Sequence, residues 1–197
     1  METILRCYKM IYDEGFAPNP ENNLLTLATC KAYMRRVAKP DEWIAGFTSK
    51  SLTGDDVGNE RLIYLMRVVD KKSFYEYFNA QEYKGRKDNI YYKEHENDEE
   101  YKRLNDDNHN DDNYKSDMIS DQVLISDNEN GYYFGHENPL SFCKSIRPRI
   151  PTGPSPYGWI TKGDDAERFI KWVQGEAKKM KLPEKSYTTS SKSGCKR

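Results

Sequence analysis

The chain has 197 residues, of which 36% are apolar and 32% charged, with a formal net charge of -1. That size suits one domain with appendages, and so little apolar content means a modest core accompanied by polar insertions. The near-neutral balance excludes a protein that holds polyanions by bulk charge, so any anion-binding surface must come from local segregation of its lysines and arginines.

Ile4 to Tyr12 (ILRCYKMIY) mixes β-branched and aromatic residues and reads as a first strand. Asp13-Glu14-Gly15 and Pro18-Asn19-Pro20 break it, giving a loop to about Asn23. Thr26 to Arg36 reads TLATCKAYMRR. Thr29 has the chemistry of an N-cap, and Cys30 to Ala38 reads as a short helix ended by Lys39-Pro40. Trp43 to Thr48 is a predicted strand, and Ser49 to Asn59 (SKSLTGDDVGN) a polar, glycine-bearing loop. Arg61 to Val69 (RLIYLMRVV) is the most apolar run and reads as a central strand. Ser73 and Glu76 have capping-box spacing, which predicts a short helix over Ser73 to Asn79 with Phe74, Tyr77 and Phe78 on its packed face.

Residues 94 to 117 (EHENDEEYKRLNDDNHNDDNYKSD) are nearly devoid of aliphatics and read as a solvated, flexible insertion without core contacts. Gln122 to Ser126 is a further predicted strand, Gly131 to Gly135 a short aromatic one, and Arg147 to Pro156 a proline-rich connector. Asp164 to Met180 is the one long helix, with Asp164 as cap and Phe169, Ile170, Trp172 and Val173 as its apolar face. The Ser/Lys-rich stretch from 182 to 197 reads as a disordered tail, leaving one domain over 1–181. The strands stand too close together for successive βαβ crossovers. The expected fold is therefore α+β, with a curved, mostly antiparallel sheet or small barrel, short flanking helices and one longer C-terminal helix.

None of the four cysteines, Cys7, Cys30, Cys143 and Cys195, stands in a CxxC pair, which argues against a zinc ribbon. The acidic run lacks the glycine of an EF-hand loop, and no Walker pattern is present. We therefore expect no metal and no cofactor. The first residues carry no long apolar run, so the expectation is a cytoplasmic protein with reduced thiols and no membrane partner.

The ordered series TLATCK, D-x-W-I-x-G, S-K-S, R-L-I-Y-x-M-R-V, F-x-x-Y-F, D-N-I-Y, V-L-I-S, Y-Y-F-G and F-I-x-W, over roughly residues 1 to 175, resembles the nucleotide modification associated domain type 2 of bacteria and their phages. The stretch from Asp41 to Val69 also resembles the barrel core of the PUA-like superclass, which includes ASCH, EVE and YTH domains. The resemblance implies binding or processing of a nucleotide or modified base, in bacterial or phage nucleic-acid modification, defence or counter-defence. The partner it implies is a nucleotide or modified nucleic acid, with a homo-oligomer allowed.

The candidate site is assembled from residue chemistry. A helix start at Thr29 with Thr26, Cys30 and Lys31 offers donors to a phosphate, and Arg35 or Arg36 a charge for another. Ser49 and Lys50 would close one side of the pocket. Trp43 or Tyr133 would stack on the base, and the Asn89 amide, both donor and acceptor, would read a base edge. Lys144, Arg147 and Arg149 add a basic patch among prolines. Each group also has a plain structural reading: capped surface helix, core aromatic, exposed hairpin loop. Cys30 beside Lys31 is the weak candidate for a nucleophile, with His136 as its partner, and an acid such as Asp41 is the other candidate for an enzyme. A further class is a phage-encoded sponge that sequesters a signalling nucleotide.

Overall fold

The apolar run at 61–69 supplies β4 (Leu62–Arg67), whose first five residues are buried. A strand buried in this way needs partners along both edges. β3 (Trp43–Phe47) pairs with it antiparallel on one side, and the short β9 (Gly131–Tyr133) on the other. β1 (Ile4–Lys9) runs parallel to β3, and β10 (Trp159–Lys162) closes the outer edge of β1 antiparallel, giving the order β10-β1-β3-β4-β9. A second sheet has the order β2 (Leu24–Leu27), β8 (Gln122–Asp127), β5 (Asp70–Ser73). β6 (Tyr91–Tyr92) and β7 (Lys102–Arg103) form a separate ribbon. This computed structural model describes residues 2–104, 110–153, 155 and 157–180.

The α+β class therefore holds, with two changes to the expected architecture. The described strands form three sheets and no closed barrel. The sheet also contains a parallel pair, β1 with β3, because β2 and α1 (Ala32–Val37) supply a crossover long enough to return the chain in the same direction. β2, β5 and β10 were not foreseen. All three are four-residue strands, too short for periodicity to declare them.

Three apolar clusters hold the sheets together. α5 (Gly163–Met180) buries Ala166, Phe169, Ile170 and Val173 against Leu5, Cys7, Phe47 and Leu65 on one face of the five-stranded sheet. The opposite face presents Tyr8, Ile44, Tyr64 and Met66 to Leu25 and Leu27 of β2 and Met34 of α1. The third cluster gathers Phe74, Tyr77 and Phe78 of α3 (Phe74–Asn79) with Tyr91, Val123 and Ile125. The capping box is present: Ser73 accepts from the Glu76 amide while the Glu76 carboxylate accepts from the Ser73 amide.

Three local expectations are corrected. Thr29 caps no helix. α1 begins only at Ala32, and Cys30 and Lys31 both stand in the left-handed region, at φ 54° and 45°. That conformation costs roughly 1–2 kcal/mol per non-glycine residue, and bonds from outside the turn offset it. The Cys30 amide donates to Asp117 at 2.5 Å and Arg35 donates to the Cys30 carbonyl at 2.8 Å. The loop at 49–59 contains α2 (Lys50–Thr53), capped by the Ser49 hydroxyl accepting from the Leu52 amide. Finally, the acidic stretch is built into the core where it is described. It contributes β7 and α4 (Asp111–Asp117), its Tyr101 and Tyr114 pack against the third cluster, and Asn113 and Asp117 are buried. The sequence 182–197 lies outside the described residues. Among those described, no helix is long and apolar enough to cross a membrane.

Candidate functional site

Because β1 and β3 are parallel, their carboxyl ends lie at the same edge of the sheet. Open sheets with parallel strands offer ligand crevices at such ends. Here a cleft of about 1050 Å³ opens between the residues that leave the two strands. Tyr8 and Lys9 of β1 and Ser49, Lys50 and Ser51 after β3 line it, with Lys31 and Tyr33 from the α1 side. Ser116 of α4 and the connector residues Thr152 and Ser155 complete the wall.

Local bonding fixes the floor. Ser49 donates to the Met10 carbonyl at 2.6 Å and lies 3.1 Å from the Ser51 hydroxyl, tying the exits of β1 and β3 together. The Tyr8 phenol lies 2.7 Å from that of Tyr64, and burial raises its pKa well above the ordinary value, so it remains a neutral hydroxyl. The Lys31 ammonium sits 4.9 Å from the Tyr8 ring centre, a cation–π contact inside the cleft.

Carboxylates balance the remaining cations. Lys9 bridges to Glu60 at 2.7 Å, and Arg147 pairs with the same carboxylate, which also accepts from the Gly58 amide. Burial pushes the Glu60 carboxyl up, but these partners outweigh it and hold the group below its ordinary value. Asp55 behaves in the same way: burial raises it, and bonds from Arg61, Thr48 and Thr53 bring it below the usual range. Lys50, 81% exposed, pairs with the exposed Asp56 at 3.0 Å, an arrangement that an incoming anion can reorganise at little cost.

A family comparison bears on this geometry. The model for nucleotide modification associated domain 2 matches residues 1–190. The chain belongs to that family. The match runs through the acidic stretch and beyond the end of α5, so the family's domain includes the segment that carries α4. A search of the curated proteins and a search of the solved structures each found no match.

Of the residues singled out in the sequence of this family member, the fold brings Lys31, Ser49 and Lys50 into one cleft. Cys30 adjoins it in the turn before α1 and is half-buried. The others are engaged elsewhere in the fold. Thr26 is buried and donates to Asp88 at 2.5 Å. Thr29 is buried with its hydroxyl unpartnered. Trp43 packs in the cluster under α5, and Asn89 donates to the Tyr77 and Phe78 carbonyls at the end of α3. Tyr133 donates to Asp13 at 2.7 Å. His136 rests on that same carboxylate, its backbone amide donating to it at 2.8 Å and its ring at 3.3 Å. Arg35 is fully buried among backbone carbonyls.

Tyr8 and Tyr33, the aromatic wall, escaped the sequence reading. No local signal marks them, since the turn that brings Lys31 and Tyr33 to the cleft uses a left-handed pair, Cys30 and Lys31, that neither glycine nor asparagine announces.

Proposed function

We propose that the cleft at the carboxyl ends of β1 and β3 binds a nucleotide or modified base. The observation that carries this reading is the convergence of Lys31, Ser49 and Lys50, from two separate chain segments, on a cavity walled by Tyr8 and Tyr33. Lys31 and Lys50 meet the phosphate, with the Ser51 hydroxyl as a further donor. The base stacks on the partly exposed Tyr33 ring, and Ile11 and Val57, both exposed on the rim, cover its edge. Asp56 accepts from sugar hydroxyls or an exocyclic amine once Lys50 has turned to the phosphate. The association of the family with nucleotide modification fits a cleft whose aromatic wall tolerates substituted bases.

The test is thermal unfolding of the whole chain against mononucleotides carrying plain and modified bases. A ligand at about 100 times its dissociation constant stabilises the fold by roughly 2.7 kcal/mol, which raises the midpoint by about 5–10 °C for a domain of this size. Lys31→Ala and Tyr33→Ala each remove most of that rise. If no nucleotide moves the midpoint, or both variants respond as the parent does, the reading fails.

A further inference from the structure

Outside the cleft, exposed aromatic rings stand beside guanidinium groups on the two sides of the β10 edge. The Tyr33 ring, on the cleft wall, has its centre 5.1 Å from that of Tyr157, and the Arg36 guanidinium lies 5.1 Å from the Tyr33 centre. Two residues beyond Tyr157, Trp159 opens β10, with Arg149 6.0 Å from its ring. Tyr157 and Trp159 are 44% and 40% exposed. The same Arg149 lines a small hollow of about 260 Å³ together with Arg147 and Lys162. Asp165, the acid among its lining residues, is paired with Arg168, and Lys162 reaches the exposed Glu2 at 3.4 Å. Hollow and cleft are also joined beneath the surface, since Arg147 of the one and Lys9 of the other hold the same buried Glu60.

We infer that this track carries a single-stranded nucleic acid whose terminal or flipped-out base occupies the cleft. The inference rests on the cleft reading above and adds that the ligand is a polymer. Exposed rings beside cations are the arrangement that single strands require: each base has a π-face to stack, and its phosphates meet the neighbouring guanidinium groups. A duplex offers no such faces, because its bases are stacked on one another. The overall charge of -1 is no obstacle, because binding here depends on local cations, Arg36, Arg149 and Lys162, rather than on the net charge.

The experiment uses the whole chain, fluorescein-labelled 12-nucleotide DNA and RNA single strands, the matching duplex, and mononucleotides. Anisotropy reads the oligonucleotides and the unfolding midpoint reads the mononucleotides. Single strands bind at least about 10-fold more tightly than mononucleotides and than the duplex. Trp159→Ala and Arg149→Ala each weaken single-strand binding about 5- to 10-fold and leave the mononucleotide-induced rise in midpoint unchanged. Arg149→Ala also reduces the salt slope by about 0.7. Trp159→Phe, which keeps a stacking ring, retains most of the affinity, and single strands quench the exposed Trp159 fluorescence in the parent but not in this variant. Equal affinity for mononucleotides and single strands, equal affinity for duplex, or indifference to both alanine variants overturns the track. Mononucleotide binding without any gain from the polymer removes the track and keeps the cleft. Single-strand binding that depends on Trp159, with no mononucleotide response, keeps the track and removes the cleft as the seat of a base.

Discussion

Four backbone carbonyls surround the Arg35 guanidinium, those of Cys30, Asp117, Ser120 and Gln122, at 2.6 to 2.8 Å. Burial lowers its pKa to about 10, against the opposing pull of Asp117, so the group is still charged at neutral pH. Its flat fork reaches chain segments more than eighty residues apart in sequence. Removing it strands buried acceptors and an adjoining carboxylate. Arg35→Ala should therefore lower stability by about 3–5 kcal/mol, read from urea unfolding. Arg35→Lys should not restore it, because an ammonium has three donors for four carbonyls and no planar fork. An Arg35→Ala protein with the parent's unfolding midpoint would contradict this role. From sequence, Arg35 reads as one more surface cation beside Arg36. Nothing near it in the chain distinguishes the buried arginine from the exposed one, since three of its four carbonyl partners lie at Asp117, Ser120 and Gln122.

At the scale of elements, legibility follows the distance between the two halves of a signal. α3 was legible because Ser73 and Glu76 lie within one turn of each other. β4 was legible because its apolar run is continuous. The turn before α1 was not, because the group that holds it, Asp117, lies at the end of α4. The same carboxylate accepts from the Tyr91 phenol at 2.9 Å, so α4 anchors both the ribbon and the cleft-side turn. The acidic composition of 94–117 describes its outer face and conceals Tyr101, Tyr114 and Asp117, which do the anchoring. A consequence is that Asp117→Ala, although Asp117 does not line the cleft, should loosen the Cys30–Lys31 turn. The expected result is about 10-fold weaker nucleotide binding together with a lower midpoint, while Asp112→Ala on the exposed face of the same helix changes neither. Unaltered affinity in Asp117→Ala would separate α4 from the cleft.

For the whole molecule, acid sensitivity follows from the carboxylates around the cleft. Glu60 is held below its ordinary value of 4.5 in the folded chain. A depressed carboxyl contributes stability that is fully present above its unfolded pKa and is lost as pH falls through the folded one. The midpoint should thus be level near neutrality and decline below about pH 4.5. Asp88, raised by burial despite its Arg86 neighbour, works in the opposite direction, so comparison with a variant isolates Glu60. Glu60→Gln should cost about 3 kcal/mol at pH 7 and show a flatter decline in acid. A variant profile parallel to the parent's from pH 7 to 3 would sink this account. The sheet was legible at this scale as α+β, but its one parallel pair, and with it the position of the cleft, was not. That pairing depends on a crossover through β2, whose four residues read as the prelude to a helix.

The pairing of Ile4 with Lys162 has a consequence for how the protein is made. As the chain leaves the ribosome, β1, α1, β3 and β4 appear in quick succession, so much of the cleft's floor can assemble early. Within this domain, the strand that covers the outer edge of β1 follows all the other strands in chain order. Until β10 and α5 arrive, the nascent protein carries a bare strand edge, the kind of surface on which neighbouring chains on a polysome join by mistake. The late C-terminal segment thus acts as a seal on a nearly finished domain, and slow translation just before it lengthens the interval of greatest hazard.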